Sequence, residues 1–358
     1  MKEEKQTPRV LHLDSSHEWG GGQNQVRLLM RELAQRDVSQ LCLTPTGSPL
    51  AERLGDMNLP VKQIAWHGGA DPRALWQVFN AINDFDIVHC HDAHALQIAL
   101  MPARMRGVKV VAARRVPFKT NPTKWNRSDV IIAVSEHVRG VLIANGVQPE
   151  CVRVVHSGTD AEETRNIAPL EPRMRAQLNV PADAFVVGNA AQLIPLKGHM
   201  IIPAAAGMLP GVHWFIAGEG PTRGELELAI AQHDVADRVH LLGWIPEARR
   251  LFKEIDAYLS ASTEDGLGNS ITESRAMGVP VLSANGGGGA EIMQPVHERT
   301  GAVLYTANDP RALADAVLRL RQPDVRARVL AAQEERFPDF DIRRTAAQTF
   351  EVYQELME

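Results

Sequence analysis

The sequence predicts an α/β protein made of two Rossmann-like domains, each built on a parallel sheet. Its 358 residues suit two domains of about 100–200 residues, each large enough to bury its own core. Short apolar runs rich in β-branched residues alternate with amphipathic stretches, as in βαβ units. A polar, proline-containing stretch at 160–182 separates two such series. We therefore expect a first domain over 1–170, a second over 171–341 and a final helix over 342–358.

Apolar periodicity places the individual elements along the chain. After the first predicted strand, Val26, Leu29 and Leu33 recur at helical spacing, with Arg27 and Arg31 on the opposite face. Similar amphipathic stretches separate the later strands, so we expect the crossovers to be helical. The predicted strands are 9–14, 40–44, 61–65, 86–91, 108–113, 130–134 and 152–156 in the first series, and 185–189, 213–217, 239–242, 257–260, 279–283 and 302–304 in the second.

Composition excludes several classes of protein. With 38 basic and 43 acidic residues the net charge is −5, which argues against a nucleic-acid polycation. The three cysteines are widely spaced and form no CxxC pair, which argues against a disulfide scaffold or zinc ribbon and suits a reducing cytoplasm. No apolar run approaches the about 18 residues of a membrane span. We expect a cytoplasmic protein that binds no nucleic acid.

Charge is unevenly distributed along the chain. Residues 1–175 carry 22 basic and 19 acidic side chains, whereas 176–358 carry 16 and 24. Within the first half, residues 101–127 hold eight basic side chains and no acidic one. Such a run is either a solvated basic surface or a platform for phosphates or anionic lipid head groups.

A glycine-rich loop follows the first predicted strand and precedes a helix. Gly20, Gly21 and Gly22 would let backbone N–H groups approach a ligand, and the helix N-terminus behind them favours an anion. A plain tight turn is the alternative. A dinucleotide fingerprint would need a third glycine at Gln25 and an acid at the end of the next strand, and both are absent.

Three histidines and an acid stand at the end of the predicted strand 86–91. His89 and His91 share one face of an extended strand, and Asp92 and His94 follow. Three interpretations stay open: a metal site, buried structural histidines, or a histidine that meets a substrate. The metal-hydrolase pattern HxHxDH would need its aspartate at Ala93.

A lysine–glycine pair occupies the predicted loop after strand 185–189. Lys197 beside Gly198 could neutralise a phosphate as a point charge, although a surface turn is the simpler interpretation.

An acidic, glycine-rich turn within 262–281 is the most specific motif. A helix is predicted over 270–277, and Asp265 and Glu273 stand eight positions apart around its start. The turn offers free N–H groups to a diphosphate, whereas carboxylates so close to it are expected to face sugar and ribose hydroxyls. A second glycine run at 286–289 follows the next predicted strand.

Taken together and in order, these segments resemble the retaining family 4 (group 1) glycosyltransferases. The resemblance implies the GT-B fold, in which two Rossmann-like domains face each other across a central cleft. It places the acceptor on the first domain and the nucleotide-sugar donor on the second, and it implies that the final helix crosses back to the first. The matching segments are WGGG, DIVHCHDAHA, AVSEHVRGVLIANGVQPECVRVVHSGTD, LKGH, GEGPTRGELELAI, RVHLLGWIPEARRLFKEIDAYLSAS, EDGLGNSITESRAMGVPVL and TGAVLYTANDPRALADAV.

The resemblance implies roles for residues at the family's motif positions. Glu273 matches the second acid of the E-x7-E signature, which holds the ribose, and Asp265 matches the first, which contacts the transferred sugar. Asp265 is shorter than the family's usual glutamate. Lys197 matches the lysine that neutralises the diphosphate, and His91 the histidine that meets the donor sugar. Gln192 stands where the family usually has an arginine, so one positive charge is missing. The loop whose amides meet the diphosphate corresponds to Gly266, Leu267, Gly268 and Asn269.

The implied activity is retaining hexosyl or heptosyl transfer from a nucleoside-diphosphate-sugar to a glycan or lipid-linked acceptor. We expect His91, Lys197 and Asp265 to be catalytic. Because Lys197 and loop amides can neutralise the leaving diphosphate, no metal or other cofactor is expected. The expected acceptor or phosphate loop consists of Gly20, Gly21, Gly22, Arg114 and Arg115.

The expected context is cell-envelope polysaccharide or lipopolysaccharide biosynthesis. The basic run at 101–127 would contact an anionic membrane surface, which would place the protein at the inner membrane face. Two other functions stay open. One is a non-catalytic nucleotide or glycan binder on the same fold, and the other is a metal-dependent hydrolase that uses His89, His91, Asp92 and His94.

Overall fold

The computed structural model describes residues 7–68 and 71–358, which fold as two α/β domains. The first domain contains the chain up to Gly158 together with Ile342–Glu358, and the second contains Thr159–Asp341. Each domain has a parallel sheet with helices in its crossovers, which confirms the predicted fold class.

The first domain has a seven-stranded parallel sheet in the described residues. Its strands are β1 (Val10–Leu13), β2 (Gln40–Pro45), β3 (Val61–Ile64), β4 (Ile87–Cys90), β5 (Lys109–Arg114), β6 (Val130–Ala133) and β7 (Val152–Val154). Their order is β3-β2-β1-β4-β5-β6-β7. The central strands β1 and β4 are buried along their whole length, as expected of strands covered by helices on both faces. The helices are α1 (Gly21–Ala34), α2 (Pro49–Asp56), α3 (Pro72–Ala81), α4 (Ala93–Arg106), α5 (Pro122–Trp125) and α6 (Glu136–Ala144).

The second domain has a six-stranded parallel sheet in the described residues, and its predicted strands are likewise confirmed. The strands are β8 (Phe185–Ala190), β9 (Val212–Ala217), β10 (Val239–Gly243), β11 (Ala257–Ser260), β12 (Val281–Ala284) and β13 (Leu304–Tyr305). Their order is β10-β9-β8-β11-β12-β13. The helices are α7 (Ala161–Arg165), α8 (Met174–Gln177), α9 (Ile202–Gly207), α10 (Arg223–Gln232), α11 (Asn269–Ala276), α12 (Gly287–Thr300), α13 (Pro310–Arg321) and α14 (Pro323–Glu335).

The boundary between the domains lies at Gly158, earlier than the predicted boundary at 170. The next residue, Thr159, donates its amide N–H to the Phe340 carbonyl at 2.8 Å. Its buried hydroxyl also bonds that of Thr272 on α11 at 2.7 Å. These contacts tie the segment after Gly158 to the second domain.

The final helix, α15 (Ile342–Met357), completes the first domain. It packs against α1 and buries Ala346, Val352 and Tyr353 in the core of that domain. The Thr345 hydroxyl donates to the His156 carbonyl at 2.8 Å. The helix thus belongs to the first domain, although the whole second domain separates it from the rest of that domain in the sequence.

Side chains in the loops determine where several helices begin. Asp92 accepts hydrogen bonds from the His94 and Ala95 amides at the start of α4, and Ser48 accepts one from the Leu50 amide at the start of α2. These caps fix how each helix leaves the sheet edge. Among the helices of the described residues, none has the length and apolar character needed to cross a membrane.

Gly158 provides a test of the packing of α15. A Cβ there would lie 2.4 Å from the Ile342 Cα, and the Gln25 side chain bonds both backbone groups of Gly158. We expect Gly158→Ala to lower the free energy of unfolding by about 1–3 kcal/mol, because the helix must shift. The urea midpoint measures this change. The control, Gly55→Ala on α2, meets nothing within 4 Å and should be neutral or stabilising. Equal midpoints for the two variants would contradict the prediction.

Candidate functional site

The predicted lysine and the first predicted acid meet at the carboxyl edge of the second sheet. Lys197 lies in the loop after β8, and its Nζ donates to Asp265 Oδ2 at 2.9 Å. The other oxygen of Asp265 accepts the Gly266 amide at 2.9 Å. Both side chains are 24% exposed, so they remain accessible from solvent. The structure therefore brings together two residues that sequence reasoning assigned to one site.

The lysine loop is held against the β11 loop by a glycine. Gly198 has a left-handed backbone (φ +66°), and a Cβ there would lie 2.1 Å from the Ala261 carbonyl oxygen. Only glycine permits this approach without displacing the backbone. The close packing of the two loops fixes the reach of Lys197 toward Asp265.

The glycine run 286–289 supports the Asp265 loop from the neighbouring strand. The Gly288 amide donates to the Asp265 carbonyl at 2.9 Å. A Cβ at Gly288 would lie 2.0 Å from the Gly266 carbonyl oxygen. The glycine run 286–289 thus packs behind the Asp265 loop. The two backbones lie so close together that a residue with a side chain would not fit there.

A cavity of about 250 Å³ opens in front of these loops. It is lined by the predicted Gln192, Lys197, Asp265, Gly268 and Asn269. Helix α11 begins at this cavity, and no side chain caps its N-terminus in the described residues. Its first amides and the positive end of its dipole favour an anion there. Sequence reasoning assigned no role to further residues of the lining. Ser262 and Ser270 belong to the predicted turn at 262–281, whereas three others lie outside every predicted motif: Asn189, Tyr258 and Ser260.

Gly266 and Leu267, both predicted to bind the donor, are not among the described residues that line this cavity. The Leu267 side chain is 2% exposed and packs into the domain core. The Gly266 amide donates to the Asp265 carboxylate, so contact of the Gly266 and Leu267 amides with a diphosphate stays a prediction.

The second predicted acid, Glu273, lies on α11 near an arginine that sequence reasoning missed. Arg249 donates to both oxygens of Glu247 at 2.8 Å and to Glu163 at 3.2 Å. Burial opposes its charge, but these bonds and the nearby charge of Glu273 raise the pKa of Arg249. The arrangement surrounds Arg249 with acids and keeps positive charge beside Glu273.

A buried histidine steadies the lysine loop. His199 Nε2 bonds Asn189 Oδ1 at 2.8 Å, and the Asn189 amide donates to the Leu259 carbonyl at 2.8 Å. Burial, followed by the charge of Lys197, lowers the pKa of His199 to about 4. The imidazole is therefore neutral at pH 7 and links the loop to both β8 and β11.

In the first domain, the predicted glycine loop begins helix α1. Gly20 is the N-terminal cap residue, and Gly21 and Gly22 form the first turn. Gly22 lies beside the Arg115 side chain: a Cβ on Gly22 would be 4.0 Å from the Arg115 Cδ. The neighbouring Gln23 donates to Asp14 at 3.1 Å. Burial and the charge of Asp92 raise the pKa of Asp14 to about 6.

The two predicted arginines of this region have different environments. Arg114 is 8% exposed, lies over the Trp125 ring and donates to the Phe118 carbonyl at 2.7 Å. It faces the interior, contrary to its predicted place in an acceptor loop, because it is the last residue of β5, which is buried from Val110 onward. Arg115 is partly exposed and lies beside the glycine loop. Of the two arginines, Arg115 is therefore the more accessible.

The predicted His91 lies inside the domain rather than on its surface. It is 4% exposed, and its Nε2 bonds His12 Nδ1 at 2.9 Å. Arg115 donates to the His91 carbonyl at 2.6 Å and to its Nδ1 at 3.0 Å. An arginine can only donate, so Nδ1 accepts and Nε2 carries the proton. Both ring nitrogens are thus engaged, and His91 offers neither of them to a ligand in this structure.

The four ligands of the alternative hydrolase do not assemble. Asp92 caps α4, and His94 is exposed on its first turn. Among the described residues, the histidines that come together are His12, His89 and His91, all buried. His89 Nδ1 bonds the Tyr353 hydroxyl at 2.6 Å. Both nitrogens of the His91 ring are hydrogen-bonded, whereas Nε2 of His12 and Nε2 of His89 have no hydrogen-bond partner among the described residues. The bonds of His91 favour structural histidines, one of the interpretations that the sequence left open.

This cluster predicts acid sensitivity. Burial lowers the pKa of His12 to about 3 and those of His89 and His91 well below the ordinary value. As the pH falls through about 6.5, these rings take up protons in the unfolded chain but stay neutral in the folded chain. Protonation therefore stabilises the unfolded state, and the free energy of unfolding decreases as the pH falls. His12→Gln should reduce the slope of unfolding free energy against pH, between pH 6.5 and 4, by about 1.4 kcal/mol per unit.

Urea denaturation at several pH values measures this slope. The exposed His233 of the second domain, changed to Gln, is the matched control. An unchanged slope in the His12 variant would mean that the cluster does not control acid stability.

Comparison with known proteins finds similarity in both domains. The Glycosyltransferase Family 4 model matches residues 19–163, and the model of Glycosyl transferases group 1 matches residues 184–322. The lipopolysaccharide core biosynthesis glycosyltransferase LpsD of Rhizobium meliloti is 32% identical over 168 residues, which are 47% of this chain and 48% of LpsD. LpsE of the same organism is 35% identical over 143 residues, 40% of this chain and 41% of LpsE. The chain therefore spans somewhat less than half the length of these relatives.

A solved structure shares the fold over almost the whole chain. HepE of Anabaena, crystallised with UDP and glucose, superposes with a TM-score of 0.84 and covers 97% of this chain and 100% of its own. The sequence identity is 21%, so this likeness concerns the fold. It confirms the predicted GT-B class of two Rossmann-like domains.

Proposed function

This chain belongs to the family 4 (group 1) glycosyltransferases, and we propose that it transfers a sugar from a nucleoside-diphosphate-sugar to a glycan or lipid-linked acceptor. One observation carries the proposal. Lys197 and Asp265, from loops far apart in the chain, meet at 2.9 Å beside the uncapped start of α11. Positive charge, a helix N-terminus without a side-chain cap and a carboxylate around one cavity suit a ligand that has both a diphosphate and hydroxyl groups.

The diphosphate would bind between Lys197 and α11. An ammonium group has three N–H donors, and one of them is directed to Asp265, so two can meet phosphate oxygens. The amides at Gly268 and Asn269 add the positive end of the helix. Gln192, which lines the same cavity, donates hydrogen bonds without adding charge. Neutralisation of the diphosphate charge would therefore depend on Lys197 and on backbone amides.

The two acids would bind hydroxyl groups. Asp265 lies at the cavity and would contact the transferred sugar, whereas Glu273 lies farther along α11 and would hold the ribose. The positive charge of Arg249 lies near Glu273 and would help to hold its carboxylate in place. Both oxygens of Asp265 already accept hydrogen bonds, which suits a positioning role better than attack on the sugar.

We propose that transfer retains the anomeric configuration by front-face substitution. The bond between the sugar C1 and the diphosphate oxygen breaks, and the acceptor oxygen bonds C1 from the same face. The proton of the acceptor hydroxyl passes to the leaving phosphate oxygen. Lys197 and the amides would stabilise the charge that develops on the diphosphate, so no enzymic nucleophile or metal is needed. His91 would act through Arg115, which it helps to hold.

The acceptor would bind the first domain. Gly20–Gly22 and Arg115 would contact it at the carboxyl edge of the sheet, where ligands of parallel sheets bind. The names of LpsD and LpsE support lipopolysaccharide core or related cell-envelope synthesis. Such acceptors are anchored in lipid, and we propose that the basic run 101–127 holds the protein at the inner membrane face.

A non-catalytic binder of nucleotide or glycan is the second candidate. Gln192 stands where the family usually has an arginine, so the leaving-group site has one positive charge fewer. This difference would slow the departure of the diphosphate more than it would weaken sugar binding. Turnover distinguishes the two candidates, because a binder would retain ligand affinity without transfer.

Substitutions in the second domain test the proposed activity. Lys197→Ala should lower the rate of sugar transfer by about 10²–10³-fold, the usual cost of losing one group that stabilises transition-state charge. Glu273→Ala should mainly raise the donor KM. Thermal shifts with nucleoside diphosphates identify the base, because a ligand of the folded state raises Tm.

Matched controls on the same domain are Lys253→Ala and Glu225→Ala, which lie outside the cavity. Transfer that survives the Lys197 substitution unchanged would refute the proposed role of the lysine. Binding of nucleotide without any transfer would favour the non-catalytic binder.

Vesicle binding tests the membrane proposal. At low salt the protein should bind anionic vesicles better than neutral ones, since each basic residue near such a surface contributes about 1 kcal/mol. Arg106→Gln combined with Lys119→Gln, both exposed, should weaken binding about tenfold or more. The control pair is Arg36→Gln with Lys62→Gln, also exposed. Equal sedimentation with neutral and anionic vesicles would remove this part of the proposal.

A further inference from the structure

We propose that a groove beside helix α4 of the first domain binds an amphiphile with a phosphate head group and a hydrocarbon chain. The groove is a cavity of about 810 Å³, within the size range of small-molecule sites. The inference deepens the proposed function, because it names the chemical class of the acceptor, and it rests on that proposal for this identification.

The groove results from a short crossover. Between β5 and β6 the described chain forms one helix, α5, of four residues, about 6 Å long at 1.5 Å per residue. Helix α4, which precedes β5, has fourteen residues and is about 21 Å long. A crossover helix of that length would cover the flank of α4. Because α5 is a single turn, the flank of α4 and the start of β5 line an open cavity instead.

The wall of the groove is apolar. Leu100 and Met101 of α4 line it together with Val108, which precedes β5, and Val110 of β5. Met101 is 52% exposed, so a large apolar side chain meets water there. Removing such surface from water yields about 25 cal/mol per Å², which favours a ligand with hydrocarbon.

The charges of the groove favour an anion. Four basic residues line it, and Asp129 is the one acid among its described lining residues. Asp129 pairs with Lys109 at 3.3 Å, which leaves Arg104, Lys124 and Arg127 uncompensated by acids of the lining. Burial lowers the pKa of Lys124 because it disfavours the charged form, and an anionic partner beside the ammonium group would favour that form. A neutral glycan alone would not use three cations.

The groove leads to the edge of the sheet where chemistry is expected. Lys124 donates to the carbonyl of Ala93, the first residue of α4, at the carboxyl edge. Val108 and Lys109 lie at the opposite edge, where β5 begins. We therefore place the phosphate near Lys124, the hydrocarbon along Leu100 and Met101, and the outer cations toward the lipid surface. The sugar attached to the phosphate would then reach the carboxyl edge.

Binding of decyl phosphate to the full chain, below its critical micelle concentration, tests the inference. Calorimetry should show saturable binding of one molecule. Met101→Asp should weaken it about tenfold or more, because a charge would meet the chain. The matched control is Met105→Asp, since Met105 is 65% exposed on the same helix and lies outside the lining. Lys124→Ala should weaken binding by a similar factor, and Arg36→Ala should not.

Two further probes separate the parts of the ligand. Decyl maltoside, with a neutral head group, and inorganic phosphate, without a chain, should each bind at least about tenfold more weakly than decyl phosphate. Equal binding of inorganic phosphate would overturn the role of the apolar wall. Equal binding of decyl maltoside would overturn the role of the cations. Equal losses in the Met101 and Met105 variants would indicate non-specific adhesion and overturn the site.

Failure of the groove proposal gives different results from failure of the proposed sugar transfer. Decyl phosphate binding needs no donor, and donor binding is measured separately by thermal shift with nucleoside diphosphates. Sugar transfer without decyl phosphate binding would overturn the groove alone. Decyl phosphate binding without any nucleotide binding or transfer would overturn the proposed activity and leave the groove as an amphiphile site.

Discussion

Close approach between loop backbones is the constraint on which the candidate donor site depends. The loops after β8 and β11 touch at Gly198 and Ala261, and those after β11 and β12 touch at Gly266 and Gly288. A side chain at either contact would force the loops apart, because its Cβ would lie 2.1 Å from the Ala261 carbonyl oxygen in one case and 2.0 Å from the Gly266 carbonyl oxygen in the other. Because glycine permits these contacts, amides that the sheet does not use converge on one small cavity. The lysine–carboxylate contact across that cavity is a consequence of backbone packing.

Local sequence could predict the features that depend on local physics. The strands were recoverable because both faces of each central strand are buried, so apolar β-branched runs mark them. The Asp265 turn was recoverable because its glycines, acids and helix start are contiguous. The pairing of His12 with His91 was not, because their separation of 79 residues leaves no local signal. The different directions of Arg114 and Arg115 depend on where the strand ends, which periodicity locates only approximately.

The domain boundary shows why composition misleads at the edges of a fold. A polar, proline-containing segment resembles a linker whether or not its polar groups are bonded. Here Thr159 and Arg165 donate to groups of the second domain, and the Thr159 side chain is buried. Polar residues whose hydrogen bonds are satisfied can lie within a domain at little cost. Which partners they find is a tertiary property, so the boundary could be established only from the structure.

The position of α15 has a consequence for biosynthesis. During translation the second domain leaves the ribosome complete, whereas the first still lacks the helix that bonds His89 through Tyr353. The nascent first domain therefore exposes the apolar residues that pack against α15, and His89 lacks its Tyr353 partner, until α15 has been synthesised. The order of maturation is thus the reverse of the order of synthesis, and chaperones would encounter the first domain for longer than the second.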